Sequence, residues 1–292
     1  MSVSSANTVK MPDKTVYLCA ISNISSGSCS EDCTFCTQAA KYKADIERYR
    51  YKAIDEIVRE AQMARANRAI GFCLVTAGKG MTDAKLAFVC EAAHAVKAAE
   101  PDLNIIACNG TASVEEMQEL KKAGVGSYNH NLESSREYYP QICTTHSWEE
   151  RYETCQNARE AGLMLCSGGI FGMGESEADR ISMVASLREL QPESVAINFF
   201  HPNPALPIPD NTIDIEKGLE IIRYVKSQLP ESMIMVAGGR ERMFGERQAE
   251  IFAAGANSIV IGNYLTTPGN APDRDIVMLE SLGLSIARSC HD

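Results

Sequence analysis

What this sequence lacks narrows it first. No apolar run approaches the roughly 18 residues of a membrane span, and residues 1–14 are polar, without the apolar centre of a signal peptide. A cytoplasmic protein with no membrane partner is expected. Positive charge is scarce: 28 Lys and Arg against 38 Asp and Glu leave a formal net charge of −10. That balance argues against a nucleic-acid backbone or an anionic membrane surface as the main partner. A small molecule is expected instead. The basic, tyrosine-interleaved segment 41–52 is the one exception, and it reads as the solvated approach to a helix. A Gly-x-Gly-x-x-Gly fingerprint is missing, which removes the usual dinucleotide reading. No linker interrupts the chain; its longest break, the proline-rich stretch 202–209, reads as a substrate-facing loop.

Cysteine, by contrast, is plentiful. Eleven in 292 residues are many for a compartment that does not maintain disulfides, so metal or redox chemistry is the leading explanation. A chain of this length could hold two average domains or one (β/α) barrel, and 45% hydrophobic with 23% charged residues is the composition of an ordinary globular protein.

Periodicity favours the barrel. Short β-branched or apolar runs at 16–22, 70–75, 103–108, 126–130, 163–168, 194–200, 233–237 and 257–261 alternate with amphipathic stretches at 54–67, 83–100, 114–123, 148–161, 175–190, 215–229 and 246–254. Ala-Gly pairs at 123–124, 161–162 and 254–255 close three of the helical stretches, where a left-handed cap residue is required. The expected fold is α/β, a single (β/α)8 TIM-type barrel spanning about 15–268 within one domain of 1–292, with a C-terminal extension at 269–292. An open six-stranded parallel sheet is the alternative if the weak fourth and eighth strands are misread.

In such a barrel the carboxyl ends of the strands build the site. Strand one leads into Cys29, Cys33 and Cys36, a C-x3-C-x2-C motif. Three thiolates so spaced can grip three irons of a [4Fe-4S] cube and leave the fourth iron open, where S-adenosylmethionine (SAM) can chelate and be split to a radical. Phe35 precedes the third cysteine and suits packing beside that cofactor. A zinc site with a fourth ligand elsewhere is the alternative, although zinc sites usually come as paired C-x2-C knuckles.

Strand two carries Cys73, strand three ends at Cys108 and strand five carries Cys166, all three near the carboxyl ends. Each alone would be a buried core thiol, but together at one barrel end they suggest a second iron-sulfur cluster. Cys19, Cys90, Cys143, Cys155 and Cys290 read as structural. Residues 168–175 (GGIFGMGE) read as a flexible turn between strand five and a helix that receives the adenosine of SAM. Residues 128–133 (YNHNLE) offer amides and a carboxylate suited to ribose and a polar substrate; His130 alone reads as a core histidine.

Taken in order, these segments resemble the biotin synthase family of radical SAM enzymes. The resemblance runs through SGSCSEDCTFCTQ at 26–38, GFC at 71–73, Cys108, YNHNLE at 128–133, EERYET at 149–154 and CSGGIFGMGE at 166–175. It continues through AIN at 196–198, AGGRE at 237–241 and AGANSIVIGNYLTT at 254–267.

The resemblance implies sulfur insertion into dethiobiotin, two SAM molecules being consumed per turnover. It implies a [4Fe-4S] cluster on Cys29, Cys33 and Cys36, and a sulfur-donating [2Fe-2S] cluster on Cys73, Cys108, Cys166 and Arg240. It further implies SAM contacts from Phe35, Asn131, Glu133, Arg151, Gly169 and Ile170, and dethiobiotin contacts from Asn129, Asn131, Asn198 and Arg240. No catalytic residue beyond the cluster ligands is implied. A flavodoxin or ferredoxin would deliver electrons, and the chain would be a homodimer. An arginine ligand to iron would not be nominated from chemistry, because a guanidinium stays protonated and donates only. The sequence departs from the family at 75–78, in carrying Glu133 where Asp is frequent, and in the loop 201–209. A radical SAM enzyme with another substrate and a non-catalytic metal-binding or redox-sensing protein are the rival readings.

Overall fold

Apolar strands separated by capped amphipathic segments fold as alternating β and α units in the computed structural model, which describes residues 15–209 and 213–290. The polar segment 1–14, expected not to be a signal peptide, and the last two residues of the expected extension lie outside them. The strands are β1 (Thr15–Ser25), β2 (Gly71–Thr76), β3 (Asn104–Cys108), β4 (Val125–Asn129), β5 (Met164–Phe171), β6 (Ser194–Phe199), β7 (Met233–Val236) and β8 (Ser258–Val260). Between them run α1 (Ile54–Ala66), α2 (Asp83–Ala99), α3 (Val114–Lys122), α4 (Tyr139–Ile142), α5 (Trp148–Glu160), α6 (Glu177–Leu190), α7 (Ile215–Gln228), α8 (Arg240–Phe244) and α9 (Glu250–Ala253). Among the described residues no helix is long and apolar enough to cross a membrane.

Local chemistry explains the boundaries. Ser113, Ser147 and Ser176 cap α3, α5 and α6 with full capping boxes, each side chain accepting from the third helical N–H. Gly124, Gly162 and Gly255 follow α3, α5 and α9 with φ of 99°, 73° and 113°, the left-handed backbone expected of them.

Closure follows from β1, which pairs with β2 from Cys19–Gly71 onward and with β8 from Tyr17–Ser258 to Cys19–Val260. The weak fourth strand is hydrogen-bonded on both sides. The sheet is therefore a closed eight-stranded parallel barrel of the (β/α)8 TIM type, and the open six-stranded alternative fails.

Three details correct the sequence reading. Gly168, Gly169 and Ile170 lie inside β5, which continues to Phe171, so the turn is shifted to 172–175. The helix expected at 246–254 is broken into a 3-10 turn at Gly245–Arg247 and the short α9. The C-terminal stretch adds α10 (Pro272–Ser281) and a two-residue β9 (Ser285–Ile286) that pairs with Thr15–Val16 of β1.

Inside the barrel, Cys19, Ile106, Cys166 and Met235 come from β1, β3, β5 and β7. This is one interior layer of four side chains from alternate strands. The same four residues line a chamber of about 360 Å³ at the carboxyl end of the strands and a second cavity of about 560 Å³ at the other end. A single layer of side chains thus forms the floor of the chamber.

Candidate active site

The loop after β1 carries Cys29, Cys33 and Cys36. Its backbone closes on itself through Cys29 N to Gln38 O (3.0 Å) and Ala40 N to Cys29 O (2.8 Å), and Gly27 N donates to the Gln38 side chain (3.1 Å). A second clamp comes from the segment after α4. Thr34 N donates to Ile142 O (2.8 Å), and Asp32 accepts from the N–H and hydroxyl of Thr144 (2.9 and 2.6 Å). These bonds, the Thr144 hydroxyl foremost, hold the Asp32 carboxyl well below the usual carboxylate range.

Asp32→Asn should therefore weaken the loop by about 1 kcal/mol, the low end for a charged hydrogen bond that is partly solvated. The Asp32 contribution is present above the ordinary aspartate range and is lost as pH falls through the depressed folded value. Variant and wild type should differ at neutral pH and converge in strong acid, as checked by denaturant titration.

Cys36 and Phe35 line the chamber. Burial, with the neighbouring Cys29 adding to it, pushes the Cys36 thiol up to about 11. Cys33 donates to Cys143 across 3.6 Å, and Cys143 also lies 3.3 Å from His146 Nδ1. His146 is buried between Glu31 (Nδ1 to Oε2, 2.7 Å) and the Tyr139 hydroxyl (2.7 Å). Cys143, read from sequence as structural, thus borders the thiol loop. Its proximity to Cys33 spans 110 residues of chain, so no local spacing could reveal it.

On the opposite wall the chain after β4 crosses β5. Leu132 N donates to Gly168 O (2.9 Å), and Ile170 N donates to Glu133 O (2.9 Å). Glu133 adopts a left-handed φ of 67° to make this crossing. The approach requires a glycine: a Cβ at Gly169 would meet Met183 Sδ at 2.3 Å and the Glu133 carbonyl at 2.8 Å. Gly169→Ala should cost about 1–3 kcal/mol by overpacking and push Glu133 out of place, read as a lowered Tm in thermal denaturation.

Arg151 of α5 fixes this wall, donating from Nε to Asn131 O (2.6 Å), from one amino group to Glu133 Oε1 (3.0 Å) and from the other to His146 Nε2 (3.1 Å). Burial pushes the Glu133 carboxyl up, and Arg151 pulls it partly back. Glu133 Oε2, Asn129 Oδ1 and Asn131 Oδ1 are buried in the chamber wall without a partner. Three orphaned acceptors on one wall call for a ligand that donates. His130 is neutral: burial above all, then Arg151, lowers it well below its ordinary range.

Cys73, Cys108 and Cys166 also line the chamber, with Asn129 Nδ2 3.7 Å from Cys108 Sγ. Asn198 lines it too, but its amide is engaged, donating to Gly169 O (3.2 Å) and accepting from Gly238 N (2.9 Å). The amide therefore ties β5, β6 and the end of β7 together.

Arg240 does not join them. It is fully buried outside the chamber wall, and its amino groups fork onto Asp275 of α10 (3.0 and 2.7 Å), Gln248 (2.7 Å) and Val260 O (3.2 Å). Among the expected site residues Arg240 is thus set apart from the chamber lining, and breaking its pair would leave the Asp275 carboxylate buried and uncompensated.

Against known proteins, residues 23–187 match the radical SAM superfamily and residues 196–285 match the biotin and thiamin synthesis associated domain. Biotin synthase from Aliarcobacter butzleri is 58% identical over 281 residues, covering 96% of this chain and 100% of that protein. Biotin synthase from Nitratiruptor sp. is 61% identical over 277 residues, covering 95% and 99%. The chain belongs to the biotin synthase family. It is accordingly a radical SAM enzyme, and the superfamily implies a [4Fe-4S] cluster and SAM. Solved structures share the fold: HydG, the FeFe-hydrogenase maturase from Carboxydothermus hydrogenoformans, aligns with a TM-score of 0.84 at 20% identity over 97% of this chain and 72% of its own. Methylornithine synthase aligns with a TM-score of 0.82 at 18% identity over 94% and 84%.

Proposed function

We propose that this chamber converts dethiobiotin to biotin by inserting sulfur between two unactivated carbons. One observation carries the reading: a loop of three thiols meets, through Cys36, a chamber whose deeper wall bears three more thiols, with unpartnered acceptors between them. A radical-generating cluster alone would need only the first set.

The donor chemistry fits the implied groups. Cys29, Cys33 and Cys36 would hold the [4Fe-4S] cluster, which would supply the electron that cleaves SAM. Cys73, Cys108 and Cys166 contribute three thiolates to a [2Fe-2S] cluster. When bound, these groups supply the 5′-deoxyadenosyl radical and the sulfur.

The chain positions the reactants and excludes water. Phe35 packs against SAM. Glu133 Oε2 and Asn131 Oδ1 accept from its ribose and ammonium groups, the Gly169–Ile170 backbone flanks its adenosine, and Arg151 holds Glu133 and Asn131 in place. Asn129 Oδ1 accepts from the ureido N–H of dethiobiotin. Asn198, its amide engaged, shapes the substrate wall as a positioning residue. The chain acts as one catalytic unit, a barrel at about 15–268 with a C-terminal extension whose described part, residues 269–290, pairs with β1, working as a cytoplasmic homodimer reduced by flavodoxin or ferredoxin.

The test is anaerobic reconstitution with SAM, reduced flavodoxin and dethiobiotin. Biotin should form with two equivalents of 5′-deoxyadenosine. SAM cleavage without biotin would favour a different substrate, and zinc without acid-labile sulfide a non-catalytic metal protein.

A further inference from the structure

The second cluster needs a fourth ligand, and Arg240 is committed elsewhere. We propose that Cys19 is that ligand, so that the second cluster is held by four thiolates, Cys19, Cys73, Cys108 and Cys166, from β1, β2, β3 and β5. The inference rests on the reading above that a second cluster occupies this chamber.

Four observations converge on Cys19. It lies in the floor layer beside Cys166 and lines the chamber, and it packs in one cluster with Cys73, with Cys108 against that cluster. In the β1–β2 register Cys19 stands opposite Gly71 and Ile21 opposite Cys73, so Cys19 is one pleat step below Cys73. A Cβ on residue 71 would come within 3.2 Å of the Cys19 sulfur, so the glycine leaves it room. Finally, the Cys19 thiol is uncommitted: its hydrogen bond runs to the adjacent Ala20 carbonyl at 3.7 Å.

Other floor and wall groups serve less well. Met235 offers only a neutral thioether, whereas iron-sulfur clusters are gripped by thiolates. The Asn198 amide is engaged at both ends. Binding converts the Cys19 thiol to an iron thiolate, with its proton released to solvent.

The test compares anaerobically reconstituted wild type, Cys19→Ala, Cys19→Ser, Met235→Leu and Arg240→Lys by iron and sulfide content, Mössbauer and resonance Raman spectra, with circular dichroism as a fold control. Cys19→Ala should lose the second cluster by more than about tenfold in occupancy while keeping the [4Fe-4S] signal. Cys19→Ser, which preserves volume and remains decisive if the alanine variant does not fold, should shift the iron-sulfur stretching bands. Arg240→Lys should retain the second cluster. An unchanged second cluster in both Cys19 variants, or its loss in folded Met235→Leu or Arg240→Lys instead, would overturn the proposal alone. Wild type with no second cluster would overturn it together with the reading it rests on.

Discussion

Cys166→Ala is expected to reduce biotin formation to below about one thousandth of wild type while SAM cleavage continues. The two activities separate because the residues divide between the two walls. Cys166 stands in the floor layer, whereas the wall proposed for SAM is built by Asn131, Glu133 and Arg151 through bonds that do not involve the Cys166 side chain. The link from Cys166 to that wall is its backbone carbonyl, which accepts from His130 N at 3.0 Å and survives the substitution. Loss of one buried sulfur should cost about 1 kcal/mol in stability, too little to unfold the barrel. Product assays for 5′-deoxyadenosine and biotin on the same sample check this. Parallel loss of both products would place Cys166 in radical generation.

Arg151→Met should be the most damaging change on the wall proposed for SAM. It leaves Glu133 buried and unpaired, which costs about 3–5 kcal/mol, and releases the Asn131 carbonyl that Arg151 Nε holds at 2.6 Å. The loss should depend on pH. Burial already raises the Glu133 carboxyl, and without Arg151 it rises further. A carboxyl whose folded pKa is raised binds its proton more tightly in the native state, so stability is favoured below the ordinary glutamate range and declines as pH rises through the folded value. Urea titrations at pH 5 and pH 8 should show the variant weaker at the higher pH. Adding Glu133→Gln should restore part of the loss and flatten the pH dependence. An Arg151→Met variant as stable as wild type at both pH values would show that the pair is solvated.

The barrel was legible because its information is local. Most strands are apolar runs, and the Ala-Gly closures at 123–124, 161–162 and 254–255 mark positive-φ positions the structure reproduces. The first thiol set was legible for the same reason, since three cysteines within eight residues need no tertiary knowledge. The second set was placed at strand ends by the sequence pattern, whereas Cys73 and Cys166 are the third residues of β2 and β5 and only Cys108 ends its strand. What stayed hidden depended on partners far along the chain. Asp275 resembles a surface carboxylate on an amphipathic helix until α10 packs and delivers it to Arg240. Arg240 entered as an iron ligand only through the family resemblance, and its pairing with Asp275 depends on that packing. Cys19, ten residues before the motif, reads from sequence as an ordinary core thiol, and the layer it shares with Cys166 exists only once the barrel closes. The glycines of β5 read as a turn by composition, yet they are strand residues thinned to admit the Glu133 crossing.

The central claim is that one chamber is served by two clusters on separate thiol sets. It is tested most directly by Mössbauer spectra and sulfide content of the anaerobically reconstituted chain, wild type against Cys108→Ala. Two distinct iron environments in the wild type, with only the second lost in the variant, are predicted. A single environment in the wild type, or loss of both signals from a folded Cys108→Ala, would contradict it.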